Sequence, residues 1–155
     1  QLNADPRVME FFPNLLDRTA SDALADRIET EIGDRGWGLW ATEIEATHEF
    51  IGFVGLNIPS PNLPFSPCVE IGWRLGLPYW GQGYASEAAK GALSIGFDIL
   101  KLDEIVSFTA IHNQRSRRVM ERLNMHEMSE TFLHPALPVG HPLAEHCLYK
   151  LVSSE

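Results

Sequence analysis

Apolar residues recur along this chain with two periods, and the switches between them outline its elements. Leu24, Ile28 and Ile32 are spaced as one helix face; Thr19-Ala20-Ser21-Asp22 ahead of them resembles a capping box, and Gly33 is placed to end the helix. Leu39 to Ile44 and Phe50 to Ile58 are strand-like and flank a polar turn, which predicts a hairpin. Val69 to Leu75 alternates as a strand. Beyond Pro78, Ala85, Ala88, Ala89 and Ala92 repeat at helical spacing and keep one helix face thin enough to lie close to a sheet. Glu104 to Ile111 reads as another strand, and Asn113 caps a helix that turns Val119, Met120 and Leu123 inward. Met125 to His134 and His146 to Val152 are expected as the last strands. A short helical piece covers Asp5 to Pro13, and proline-rich Asn57 to Cys68 is a loop.

Strand, helix, strand around residues 69 to 111 implies a helical crossover between two parallel strands, and the whole pattern predicts one mixed α/β domain over residues 1–155. The junction of the first strand with its helix holds Gly81-Gln82-Gly83-Tyr84-Ala85. Glycines there admit backbone angles closed to other residues, and the first amides of a helix lack carbonyl partners, so the junction suits an anion such as a phosphate. The dinucleotide fingerprint fails because Ser86 stands where its third glycine belongs, and no Lys-Ser or Lys-Thr completes a Walker-type loop, which disfavours ATP or NAD.

Charge and cysteines narrow the setting. A net charge of −9 opposes nucleic acid and anionic membranes and suits a cationic partner such as an amine, or simple solubility. No apolar run reaches the roughly 20 residues that span a bilayer. Cys68 and Cys147 fit no zinc or redox spacing, so a reduced cytoplasmic setting is the simpler reading. His134, His141 and His146 match no standard metal site, and no metal is expected.

Tyr79-Trp80-Gly81-Gln82-Gly83-Tyr84-Ala85-Ser86-Glu87-Ala88 resembles the acetyl-CoA pyrophosphate loop of the GNAT family of N-acetyltransferases, in the form of its Rim-type ribosomal-protein branch. Trp80 replaces the Gln or Arg that opens the family's general loop. Asn113-Gln114-Arg115-Ser116 and Leu123 resemble the family's next helix, and the similarity extends from about Asp5 to Leu151. The resemblance implies the GNAT fold without its usual first strand, an acetyl-CoA donor, and direct transfer to a primary amine, a protein N-terminus, with a small-molecule amine as the first alternative. A non-catalytic acyl-CoA-binding module is the alternative. Oligomeric state is left open, a homodimer being one option.

On that resemblance Glu70 is the general base and Ser116 faces the leaving sulfur, since Met120 replaces the tyrosine many relatives use as acid. Gly81, Gln82, Gly83, Tyr84 and Ala85 hold the diphosphate, the backbone at Trp73 and Leu75 pairs with the pantetheine arm, Asn113 hydrogen-bonds it directly or through water, and Arg118 attracts phosphate. Each has a plainer role: Glu70 pairing with a cation on the wetter strand face, Ser116 satisfying helix amides, and the cluster Arg115, Arg117, Arg118 and Arg122 forming a solvated face.

Overall fold

The computed structural model describes residues 1–154. Helix α1 (Arg18–Arg35) starts where the Asp17 carboxylate accepts the Ala20 N–H at 2.8 Å and stops at Gly36, whose φ of 79° turns its N–H back to the Ile32 carbonyl. The expected boundaries at Thr19 and Gly33 are therefore corrected at both ends. Asp17 offers a charged acceptor two residues earlier, and the left-handed stop falls three residues later.

The hairpin forms as β1 (Leu39–Ile44) and β2 (Glu49–Asn57), followed by β3 (Glu70–Leu75), α2 (Tyr84–Ser94) and β4 (Glu104–Ala110). Helix α3 (Gln114–Arg122) opens with Asn113 Oδ1 accepting the Ser116 N–H and closes through Asn124, a non-glycine residue at φ 59°. The predicted strand Met125 to His134 is instead two short pieces, β5 (His126–Glu127) and β6 (Phe132–Leu133), both paired with β7 (Glu145–Val152). Polar Ser129-Glu130-Thr131 separates them. Asp5 to Pro13 is a series of turns: the Asp5 carboxylate takes the Arg7 N–H and guanidinium, competing with a propagating helix.

The strands order as β1-β2-β3-β4-β7-β5, with β6 also on β7, and only β3 and β4 run parallel, joined through α2. On β3, Ile71, Trp73 and Leu75 share the face of Val54 and Leu56, where Ile71, Leu56 and Ala89 are fully buried and Trp73 packs beside them. Ala89 and Ala92 of α2 are both buried, in line with the predicted thin face. Just beyond α2, a Cβ on Gly96 would stand 2.5 Å from Ile105 Cδ1, so glycine permits that approach. Glu70, Gly72 and Arg74 occupy the opposite face with Phe53, Gly55 and Asn57. Cys68 and Cys147 are free, and among the described residues no helix is long and apolar enough to cross a membrane.

Candidate active site

Strand β3 pairs with β2 along its whole length but meets β4 only at Glu70 opposite Val106, where the Val106 N–H reaches the Val69 carbonyl at 2.9 Å. Beyond that point the two strands splay. Because the Gly76 N–H bonds to Ile51 O, the antiparallel alternation turns the backbone groups of residues 70, 72 and 74 toward β2 and those of Ile71, Trp73 and Leu75 toward the gap. The Ile71 carbonyl is taken there by Ser107 Oγ (3.0 Å) and the Leu75 carbonyl by Trp80 Nε1 (2.8 Å). The Trp73 N–H and C=O and the Leu75 N–H are left as an open ladder edge, suited to an extended amide-bearing arm.

The turn after β3 delivers the second element. Gly81 and Gly83 both have positive φ, 71° and 83°, and Gly83 ends the turn as the uncapped start of α2, leaving the first N–H groups of the helix without acceptors from a capping side chain. Ser86 Oγ, in that first turn, is buried without a hydrogen-bond partner among the described residues. Gly81, Gly83, Tyr84, Ala85 and Ser86 line a cavity of about 600 Å³ that also takes in Trp73 and Leu75. Open amides, an orphaned hydroxyl and a free strand edge together fit a diphosphate followed by a pantetheine arm. Gln82 is different: it does not line the cavity, and its side chain donates back to the Pro78 carbonyl.

Two reactive groups face the same cavity. Ser116 Oγ accepts N–H bonds from Trp73 Nε1 at 3.3 Å and Asn113 Nδ2 at 3.1 Å, while Asn113 Nδ2 also donates to Thr109 Oγ1 at 2.9 Å. With both lone pairs occupied, the serine hydroxyl has its own hydrogen to give. Asn113 is spent largely on holding Ser116 and capping α3. Glu70 lies on the other sheet face opposite Asn57; burial pushes its carboxyl up to about 8, and a hydrogen bond with the Asn57 side chain pulls part of the way back. Met120 is buried at the cavity wall and brings no acid there.

The arginine cluster of α3 divides. Arg115 stacks over Trp80 at 4.2 Å and pairs with Glu10, and Arg117 pairs with Glu127 and donates to Tyr149 Oη, so both brace the fold. Arg118 and Arg122 line the cavity and form no ion pair among the described residues. Arg27, Phe53, Asn57, Arg74 and Phe108, which had no predicted role, complete the far wall with His134 and His146, expected as structural or acceptor-lining residues, whose rings lie tilted with centroids 5.0 Å apart. Burial lowers both imidazoles, His146 to about 4, so neither is a cation at neutral pH. Among the described residues no three His, Cys, Asp or Glu side chains gather as a metal site. A signal for Arg74 lay in the alternation of β3, which places it on the Glu70 face; Asn57 and Phe108 come from other strands and had none.

Residues 1–126 match the family described as "Acetyltransferase (GNAT) domain". The uncharacterized protein YkkB of Bacillus subtilis is 30% identical over 122 residues, which cover 79% of this chain and 70% of that protein. A GNAT-family acetyltransferase from Bacillus anthracis superposes with a TM-score of 0.80 at 23% identity, covering 99% of this chain and 86% of the other. A spermidine N-acetyltransferase from Vibrio cholerae, solved with CoA and spermine, does so with 0.73 at 18% identity, covering 98% and 86%. The fold with its splayed strands and the family match together displace the nucleotide-domain and non-catalytic readings: this chain belongs to the GNAT acetyltransferase family and is an acetyl-CoA-dependent N-acetyltransferase.

Proposed function

We propose that the chain passes the acetyl group of acetyl-CoA directly to a primary amine, with Glu70 as base and Ser116 facing the sulfur. The observation that carries this is the meeting, in one cavity, of the open Trp73 edge, a hydroxyl whose lone pairs are already engaged, and a carboxyl raised to about 8. Acetyl-CoA supplies the activated carbonyl. Arg118 and Arg122 attract its phosphates, and the α2 amides hold the diphosphate.

Glu70 takes the proton from the amine, directly or through a water, as nitrogen bonds to the acetyl carbon. The carbon–sulfur bond then breaks, and the electron pair leaves on sulfur. Ser116 donates a hydrogen bond to that sulfur, while solvent supplies the proton that completes the thiol, since a serine hydroxyl is too weak an acid to surrender its own. Glu70 returns its proton to water. A carboxylate whose affinity for protons is matched to neutral pH is well suited to this exchange.

The cavity is shared between the acyl arm and the acceptor, which favours a compact amine; a protein N-terminus, implied by the Rim-type resemblance, is the second reading. Release of CoA with a panel of small amines and N-terminal peptides tests both. Turnover with any amine that Glu70→Gln abolishes supports the assignment; turnover unchanged in Glu70→Gln removes Glu70 from it.

A further inference from the structure

The acceptor half of the cavity is charged against the grain of the chain. The whole sequence carries −9, yet among the described residues Glu70 is the one acid on the cavity wall, alongside five arginines. Three of these belong to α3. The other two are Arg27 of α1, which has Glu31 at 4.0 Å, and Arg74, which shares the Glu70 face of β3; the neutral histidines carry no charge there.

Arg74 is a cation short of a counter-ion. Its guanidinium lies 4.1 Å from the Phe12 ring centroid and 5.1 Å from that of Phe53, and one terminal nitrogen donates to Asn3 Oδ1 at 2.9 Å. Among the described residues no carboxylate pairs with it, and its Nε has no acceptor. Burial draws it down to about 10, which leaves it charged at neutral pH. A half-buried charge held by one neutral amide and two rings is costly unless something else completes it.

What lies between Arg74 and Glu70 is bare. Gly72 shares their face, its backbone is not in the left-handed region, and a Cβ built on it would meet nothing within 4 Å. The missing side chain therefore leaves open floor, which neither the turn geometry nor close packing demands. Glu70 and Arg74 are four residues apart, about 13 Å between Cα atoms at the usual strand rise, and their side chains border that floor from its two ends.

We propose that the acceptor is a compact amine carrying a carboxylate, an amino acid in the chemical sense, laid across Gly72 with its nitrogen at Glu70 and its carboxylate at Arg74. This rests on the acetyl-transfer reading above and adds the class of acceptor. A guanidinium grips a carboxylate through parallel N–H bonds, and the aromatic rings beside Arg74 keep water from competing. Polyamines meet the wrong charge at that end, and arginine-rich peptides do as well.

The test pairs amines that differ only in the carboxylate: phenylalanine with phenethylamine, 4-aminobutyrate with propylamine, and 6-aminohexanoate with pentylamine, with spermidine and an N-terminal peptide alongside. At least one pair should favour the acid tenfold or more in kcat/KM, the best pair reporting the span. Arg74→Met should bring that ratio within threefold, chiefly through KM, while CoA affinity by calorimetry stays within twofold as the check on folding. Gly72→Val, a good strand residue, should cut turnover of the acid more than tenfold with CoA affinity kept. Ratios near one or below in every pair, or Arg74→Met slowing both members equally, overturn the inference and leave acetyl transfer standing. CoA release with no amine at all overturns both.

Discussion

The two halves of the cleft are built in opposite ways. The half proposed for the cofactor is made of main chain: the Trp73 edge, the Gly81 to Gly83 turn and the first amides of α2, all within one strand-turn-helix unit. The acceptor half is made of side chains gathered from the N-terminal turns, α1, β2, β3, β4 and β7. A backbone surface recognises a shape common to all acetyl-CoA-dependent relatives, whereas a side-chain surface is free to change from one acceptor to another. Substitutions in the two halves should therefore fail differently, the first in cofactor affinity and the second in chemistry or acceptor choice.

Glu70→Gln should have the largest effect. If Glu70 is the base as proposed, its removal should cost about 10²-fold or more in kcat/KM, with CoA affinity kept, and abolish the rise in activity as pH climbs through about 8. Gly83→Val falls on the other half: forcing a branched residue to a φ of 83° costs about 1–2 kcal/mol, read as about a tenfold rise in KM for acetyl-CoA. Ser116→Ala should lower kcat about tenfold with little change in either KM, since it removes one hydrogen bond made to a developing charge. Arg118→Ala combined with Arg122→Ala should raise KM for acetyl-CoA by about threefold at low salt and hardly at all at high salt.

A last prediction concerns stability rather than turnover. The folded state holds the Glu70 proton more tightly than the unfolded chain does, so that contribution is present below the ordinary carboxylate range and is lost as pH rises through about 8. Tm measured from pH 6 to 9 should fall less steeply in Glu70→Gln than in the parent.

The same contrast explains what the sequence made legible. Gly81 and Gly83 precede an alanine-spaced helix within a dozen residues, so local period and turn chemistry suffice to place the turn and helix start at which we propose the diphosphate. The splay of β3 from β4 has no local signature: Val69 to Leu75 and Glu104 to Ile111 both read as ordinary strands, and only the three-dimensional register shows where pairing stops. Arg115 and Arg118 look alike on paper and both line the cavity, yet Arg115 is committed to Trp80 and Glu10 while Arg118 has no ion pair among the described residues; Glu10, over a hundred residues away in the chain, makes part of that difference. Helix α1 was shifted at both ends for a smaller reason, the choice between Thr19 and Asp17 as cap and between Gly33 and Gly36 as stop.

The most direct measurement is a titration of ¹⁵N-labelled protein with CoA, followed residue by residue. Saturable shifts concentrated on the amides of Trp73, Leu75 and Tyr84 to Ser86, with the Asn113–Ser116 turn moving next, are the predicted result. Saturation without movement at the β3 edge, or no binding at all, would contradict it.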